Sequence, residues 1–419
     1  MPPKKKEKAK KKTELSKTGE PAFRICARFL KAYEQACAQA SCILAPAVKM
    51  ALKQAIEDEK FLTKIVLEPA IVNSADDPRV LLEPMLTAVR KERYNYIKAL
   101  YIWEVPLTNE EITSLALLLE KSIYDIKTLE MIDNMIEVYG MRRLSQALPA
   151  SPSILSLALD FNEFGDDGCK YLCDGLYGNK TLLSLSLNYC GLSARSSGCL
   201  GRIIAHTAVR DVFLDGNDFG CAGTEKLIIA LVDKAETEIR EKKILEEQKL
   251  AAEEAARLAE EKAKSQRFEM GAATPIPPAE PESKEKKKKK KGKKKGKKAP
   301  PEPPEPGAWL RKLHLADNGI DAYEQGFDDL QLASCVKALR RLIASSECLQ
   351  ELDLEDNLIG DMGGAELLEA MTQRKESNGL PNIKLRTTHR MQGDTLKQLI
   401  KLGAGAIKKK KKGKGKKKK

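Results

Sequence analysis

The chain has 419 residues, 42% of them hydrophobic and 32% charged, with 73 Lys and Arg against 60 Asp and Glu for a formal charge of +13. No run of 18 or more apolar residues occurs, so a membrane-spanning helix is not expected. The opening Met1-Pro2-Pro3-Lys4-Lys5-Lys6 lacks the apolar core of a secretion signal, which sets the expectation of a cytoplasmic chain with reduced thiols.

In chain order, residues 1–18 read as a basic tail. Seven Lys and one Glu fall in 1–12, twelve Lys and one Glu in 284–298, and ten Lys in 408–419. These tracts outweigh the whole net charge, so the remaining body is acidic. They carry neither Arg nor aromatics, a composition that predicts disorder and self-repulsion. Residues 19–95 read as a helical cap, with Phe23, Cys26, Phe29, Leu30 and Tyr33 at helical spacing and Leu81 to Lys91 of similar character after Pro78.

Residues 96–234 carry a pattern Leu-x-Leu-x-x-Asn whose second apolar position falls at Ile102, Met131, Leu159, Leu187 and Leu214, in steps of 29, 28, 28 and 27. The signature resumes at Leu315 and Leu354 within residues 309–400, with a weaker copy at Leu385. A fixed period of this length predicts a leucine-rich-repeat solenoid, each copy a short strand followed by a return helix. Residues 235–308 interrupt it. Their first part is rich in Ala, Glu, Lys, Arg and Leu, and Glu236/Arg240, Glu238/Lys242, Glu253/Arg257 and Glu260/Lys264 are i,i+4 pairs in the favourable order. That predicts a solvated single helix, projecting by roughly 60 Å if continuous, and then a Pro- and Lys-rich disordered insertion. The repeat resumes at Trp309-Leu310, so one continuous solenoid is expected. Residues 401–419 form a second basic tail.

Asn134, Asn162, Asn217, Asn318 and Asn357 share one register, with Cys190 in the copy between. A buried amide there can satisfy the backbone of the turn, so these positions read as structural. Gly165/Gly168, Gly220/Gly223 and Gly360/Gly363 follow that register and suit a tight turn into a helix. Ten cysteines are scattered without a CxxC pair. Cys169 and Cys173 lie one helical turn apart, and with no nearby His to complete a metal site they read as small apolar filler.

Copies of about 28 residues with Leu-x-Leu-x-x-Asn/Cys, a Gly-rich turn and a full helix resemble the ribonuclease-inhibitor-like class of leucine-rich repeats over residues 96–234 and 309–390. The resemblance implies an α/β horseshoe with parallel strands on the concave side and helices on the convex side. Strand neighbours of the Leu-x-Leu positions then point to the concave surface. They are Tyr101, Trp103, Glu130, Asp160, Asp211, Phe213, Asp215, His314, Glu351, Asp353 and Glu355. Seven are acidic, with Lys312 as the basic exception, which predicts an acidic binding face with a few aromatic anchors.

His206, His314 and His389 are far apart in sequence, and no nucleophile elbow or phosphate loop is recognisable. No enzyme, cofactor or resident metal is expected. The strings MPPKKKEKAKKK, KEKKKKKKGKKKGKK and KKKKKGKGKKKK, with the copies YIKALYIWEVPLTNEEI and IKTLEMIDNMI, are similar to ciliary and flagellar leucine-rich-repeat proteins. That similarity implies a microtubule-associated scaffold. Its lysine tracts would grip acidic surfaces such as tubulin tails while its concave face holds a protein partner bearing a basic patch. Two other readings stay open. One is a GTPase activator, since activators of the nuclear-transport GTPase share this repeat class. The other is a nuclear or nucleolar protein binding RNA non-specifically through lysine.

Overall fold

A computed structural model describes residues 13–71, 78–121, 123–269, 310–321, 329–376, 380–388 and 390–404. The lysine tracts, Trp309 and His389 lie outside the described residues. The chain divides into two compact units, one made of Met1–Glu236 with Pro304–Lys419 and the other of Thr237–Pro303.

The first unit is built on one nine-stranded parallel sheet whose spatial order equals its chain order. Its strands are β1 (Lys64–Leu67), β2 (Ala99–Trp103), β3 (Thr128–Ile132), β4 (Ser156–Ala158), β5 (Ser184–Ser186), β6 (Asp211–Phe213), β7 (Lys312–His314), β8 (Glu351–Leu354) and β9 (Lys384–Thr387). The return helices are α4 (Asn109–Leu119), α5 (Val138–Ala147), α6 (Gly165–Leu176), α7 (Ser197–His206), α8 (Gly220–Glu269), α9 (Asp329–Ser345), α10 (Gly360–Glu376) and α11 (Gly393–Ala404). Each strand is only three to five residues long, so a single Leu-x-Leu pair decides which side is inside. Leu100 and Ile102, Leu129 and Met131, and Leu157 and Leu159 are all buried against the helices, and the residues between them are half-exposed on the opposite side.

Strand β6 pairs directly with β7, matching Val212 to Leu313. The two repeat blocks therefore form one sheet, as expected from the resumption of the pattern, although about a hundred residues separate them in sequence.

The cap departs from its all-helical reading. Helices α1 (Ala22–Gln39), α2 (Pro46–Asp58) and α3 (Glu83–Glu92) enclose Phe29, Tyr33 and Tyr94, but residues 64–67 form β1, which pairs parallel with β2. Leu67 lines up with Ile102, so the first strand of the solenoid belongs to the stretch taken as cap. The step from Leu67 to Ile102 is 35 residues, longer than the 27 to 29 of the copies that follow in that block, and position 70, where the register would place Asn, is Ala, so the copy was not visible. Tyr94 pins β1 to the cap: its hydroxyl accepts from Leu62 N and donates to Leu62 O, and its ring stacks on Phe29 at 4.5 Å. The cap is also tied to the first return helix. Thr108 and Glu111 form a capping box at the start of α4, and buried Glu111 accepts from the backbone N–H of Leu82 beside α3.

The Asn register works as a ladder between repeats. Asn162 is fully buried; its Oδ1 accepts from Asn134 N and Ile136 N of the preceding repeat, and its Nδ2 donates to Met131 O and Leu159 O. Asn217 does the same for Cys190 N and Leu192 N, and Asn357 for Asn318 N and Ile320 N. Cys190 meets half of this role: its thiol donates to Leu159 O and Asn188 O. The predicted turn glycines behave as their positions require. Gly165, Gly220 and Gly360 take φ of +62°, +58° and +70°, and a Cβ on Gly223 would come within 2.8 Å of the Ala194 backbone.

One buried charge was not foreseen. Arg374 of α10 donates to Ile343 O, Ser346 O, Leu349 O and Pro381 O, closing the carbonyl end of α9. Burial lowers its pKa to about 10.

Helix α8 is 50 residues long. Up to Ala235 it buries Leu227, Ile228, Leu231 and Val232 in the first unit. From Thr237 it belongs to the second unit, where residues 240–259 are exposed on every side, the signature of a solvated helix without an apolar seam.

Candidate binding face

The sheet side turned away from the helices carries two files of side chains, set by strand register. The first runs Lys64, Ala99, Thr128, Ser156, Ser184, Asp211, Lys312, Glu351, Lys384. The second runs Val66, Tyr101, Glu130, Ala158, Ser186, Phe213, His314, Asp353, Arg386. Trp103, Asp160, Asp215 and Glu355 follow at the strand ends. All eleven residues expected on this face are therefore brought to one side of one sheet, with Glu355 the most solvent-exposed of the acids, just past β8.

Its chemistry changes along the sheet. At the N-terminal end Tyr101 and Trp103 meet edge to face at 5.5 Å, and Lys64 Nζ lies 4.3 Å from the Tyr101 ring centre. Burial pushes the neighbouring Glu130 carboxyl up, more than Lys64 offsets. In the centre, β4 and β5 present the small side chains Ser156, Ala158, Ser184 and Ser186. Asp160 borders them, accepting from Ser186 Oγ at 2.7 Å and from Asn188 N at 2.8 Å. Burial raises the Asp160 carboxyl despite these bonds. Asp215 accepts from Ala316 N at 2.8 Å in the same fashion. Phe213 closes the far side of this floor, edge to face with His314 at 4.7 Å.

The C-terminal end corrects the expectation of an acidic face. Lys384 and Arg386 stand on it, and they reach back to the acids of β8: Lys384 Nζ to Glu351 at 2.6 Å and Arg386 Nη1 to Asp353 at 3.0 Å. His314 lies 3.7 Å from both Asp215 and Glu351 and 3.9 Å from Asp353. Burial would raise Glu351, but Lys384, His314 and Arg386 outweigh it and hold its carboxyl below the usual range. With Lys64 at the other end, the basic complement is larger than Lys312. All three additions, Lys64, Lys384 and Arg386, come from copies that lack the Asn: β1 has Ala70 there, and β9 has Thr388, whose hydroxyl donates to Asn357 O.

A second feature was missed. The residue before each register Asn or Cys takes a left-handed backbone, and in two consecutive repeats it is a large aromatic: Phe161 at φ +58° and Tyr189 at +52°. The two rings stack at 4.9 Å with 6° between planes, both exposed. Gly216 holds the next position because a Cβ there would fall 2.1 Å from the Tyr189 ring. Bulky side chains in this conformation are costly, and here they build an aromatic ledge beside the small-residue floor.

A single parallel sheet backed by return helices and stitched by a buried Asn ladder is the architecture of a leucine-rich-repeat solenoid. A family profile described as "Leucine Rich repeat" matches residues 150–173 and 345–368. Over 248 residues the chain is 30% identical to ribonuclease inhibitor of Mus musculus, covering 58% of this chain and 47% of that protein. Over 98 residues it is 35% identical to ribonuclease inhibitor of Sus scrofa, 23% of this chain and 22% of that protein. A 92-residue stretch is 36% identical to "NACHT, LRR and PYD domains-containing protein 5" of Bos taurus, covering 22% and 8%. The chain is a leucine-rich-repeat protein, ribonuclease-inhibitor-like in its repeats. It spans less than half the length of the relatives it matches.

Proposed function

We propose that this chain is a non-catalytic scaffold that holds a protein partner on the open face of its sheet, while its lysine tracts tether it to the glutamate-rich tails of tubulin in a ciliary or flagellar cytoskeleton. The observation that carries the first half is the small-residue floor of β4 and β5 between two aromatic groups, Tyr101 with Trp103 and Phe213 with His314. Rigid aromatics around a recess are the usual anchors of a protein interface. The curated relatives named ribonuclease inhibitor support a reading in which such a face takes up another protein.

The acids nearest the floor, Glu130, Asp160, Asp211 and Asp215, favour a partner segment with Lys or Arg. Glu351 and Asp353 already have basic neighbours and would set the partner's position more than its affinity. The tether half rests on the sequence: tracts of almost pure Lys are suited to an acidic polymer and bind it with strong salt dependence.

Co-sedimentation of the full chain with microtubules across a salt series, using intact tubulin and tubulin stripped of its acidic tails, tests the tether. Tail-dependent binding that weakens with salt is expected. Binding to RNA with none to microtubules at low salt overturns it in favour of a nucleic-acid role. The paired variant Trp103→Ala/Phe213→Ala is expected to keep the tether and lose the face partner.

A further inference from the structure

Spaced one helical turn apart on α6, Cys169 and Cys173 looked like apolar filler in the sequence because nothing nearby completed a site. The fold supplies the third group. Cys199, from the first turn of α7 in the next repeat, brings its sulfur to the same point, and the three Sγ atoms all lie within 4.8 Å of one another. Cys169 and Cys173 are buried, and Cys199 is half-exposed.

We propose that Cys169, Cys173 and Cys199 form a binding site for one soft d10 cation, Zn2+ or Cu+, held by three thiolate sulfurs. Sulfurs bound to a common ion at ~2.3 Å sit roughly 3.8–4.0 Å apart, so these side chains need to close by no more than about 1 Å. Thiolates select such ions over hard ones. Cys199 borders a cleft of about 490 Å³ whose lining includes Lys170, Arg195, Arg202 and Lys226 together with Asp166 and Asp167, so its rim carries more basic than acidic side chains. A second cleft, lined by Cys173, Cys199 and His206, also reaches the cluster, which provides an entry path and room for a further ligand.

The site joins α6 to α7 on the helical side of the sheet, away from the face proposed to hold a partner, so its occupancy and partner binding are separable. The test uses the full chain, stripped with a chelator under reductant and then offered Zn2+, Cu+ under argon, or Mg2+ as a hard-ion control. Metal per chain is measured after desalting, and thiols open to a maleimide are counted. The expected result is one Zn2+ or Cu+ per chain, no Mg2+, and Cys199, the half-exposed thiol of the three, newly shielded. The arm that is retained identifies the ion. Cys199→Ser, at the half-exposed member, is expected to cut retention at least tenfold, and Cys221→Ser, outside the cluster, to leave it intact. The melting midpoint rises with the ion in the wild type and not in Cys199→Ser. Failure of folded wild-type chain to retain either soft ion overturns the proposal, as does equal retention by Cys199→Ser. Unchanged thiol shielding in the wild type overturns it even if the variant does not fold.

Discussion

The two sides of this sheet are built from alternate residues of the same strands and have opposite logic. The inner side repeats: Leu or a close relative at each Leu-x-Leu position and, from β3 on, Asn, Cys or Thr at the register that follows. The open side does not repeat at all. It passes from aromatics on β2, through small side chains on β4 and β5, to ion pairs on β8 and β9. The contrast teaches where constraint lies. Each inner position must satisfy the backbone of the adjacent turn and pack against its copy, so its choices are few. Each open position faces solvent or a partner, so it is free to differ.

The largest effect that distinguishes the two sides is predicted for Asn162→Ala. It removes the amide partner of two N–H groups and of Met131 O in a buried site, while Leu159 O keeps the Cys190 thiol. At about 1–3 kcal/mol per orphaned group, a loss above about 3 kcal/mol is expected, read as a lower urea midpoint, with partner binding weakened only through unfolding. Trp103→Ala on the open side is predicted to do the reverse. It weakens the partner by about 2 kcal/mol, near 30-fold, while the urea midpoint shifts little. A large stability loss from Trp103→Ala would erase the distinction. Cys190→Ala sharpens it within the ladder. The residue fills the Asn register but donates only through sulfur, so about 1 kcal/mol is expected, well below Asn162→Ala.

The smallest predicted effect concerns the ion pairs of β8 and β9. The Glu351 carboxyl is held below its ordinary value of 4.5, so its stabilising contribution is present above that pH and disappears as pH falls through the lower folded value. Glu351→Gln should therefore melt below the wild type at neutral pH and converge with it in acid. A gap that widens in acid would show that Lys384 and Arg386 do not hold this carboxylate.

The same contrast explains what could be read from the sequence. The repeating side was visible as a period of 27 to 29 residues, because the ladder demands Leu and Asn at fixed offsets. That located β2 through β9 and assigned eleven residues to the open side. Strand β1 was hidden because its step to the next copy, from Leu67 to Ile102, is 35 residues, outside that period, and Ala70 stands where Asn would. Lys64 was lost with it, and Lys384 and Arg386 were undervalued with the weak copy at Leu385, which made the face look more acidic than it is. The Phe161–Tyr189 stack was missed because its signal, a large aromatic before the register Asn or Cys, has meaning only once that position is known to be left-handed. The thiol cluster was missed because Cys199 belongs to a different repeat from Cys169 and Cys173, and lateral neighbours along a solenoid are about 28 residues apart.

The most direct test of the binding face places a photo-reactive residue at Ser184, in the small-residue floor of β5, and, in a separate chain, at Gln146 on the exposed surface of α5. Both chains are expressed in cells and illuminated, and cross-linked proteins are identified by mass. A discrete partner from Ser184, absent from Gln146 and diminished when Trp103→Ala is added, is the predicted result. A partner captured from Gln146 with none from Ser184 would put binding on the helices and contradict the assignment of the open face.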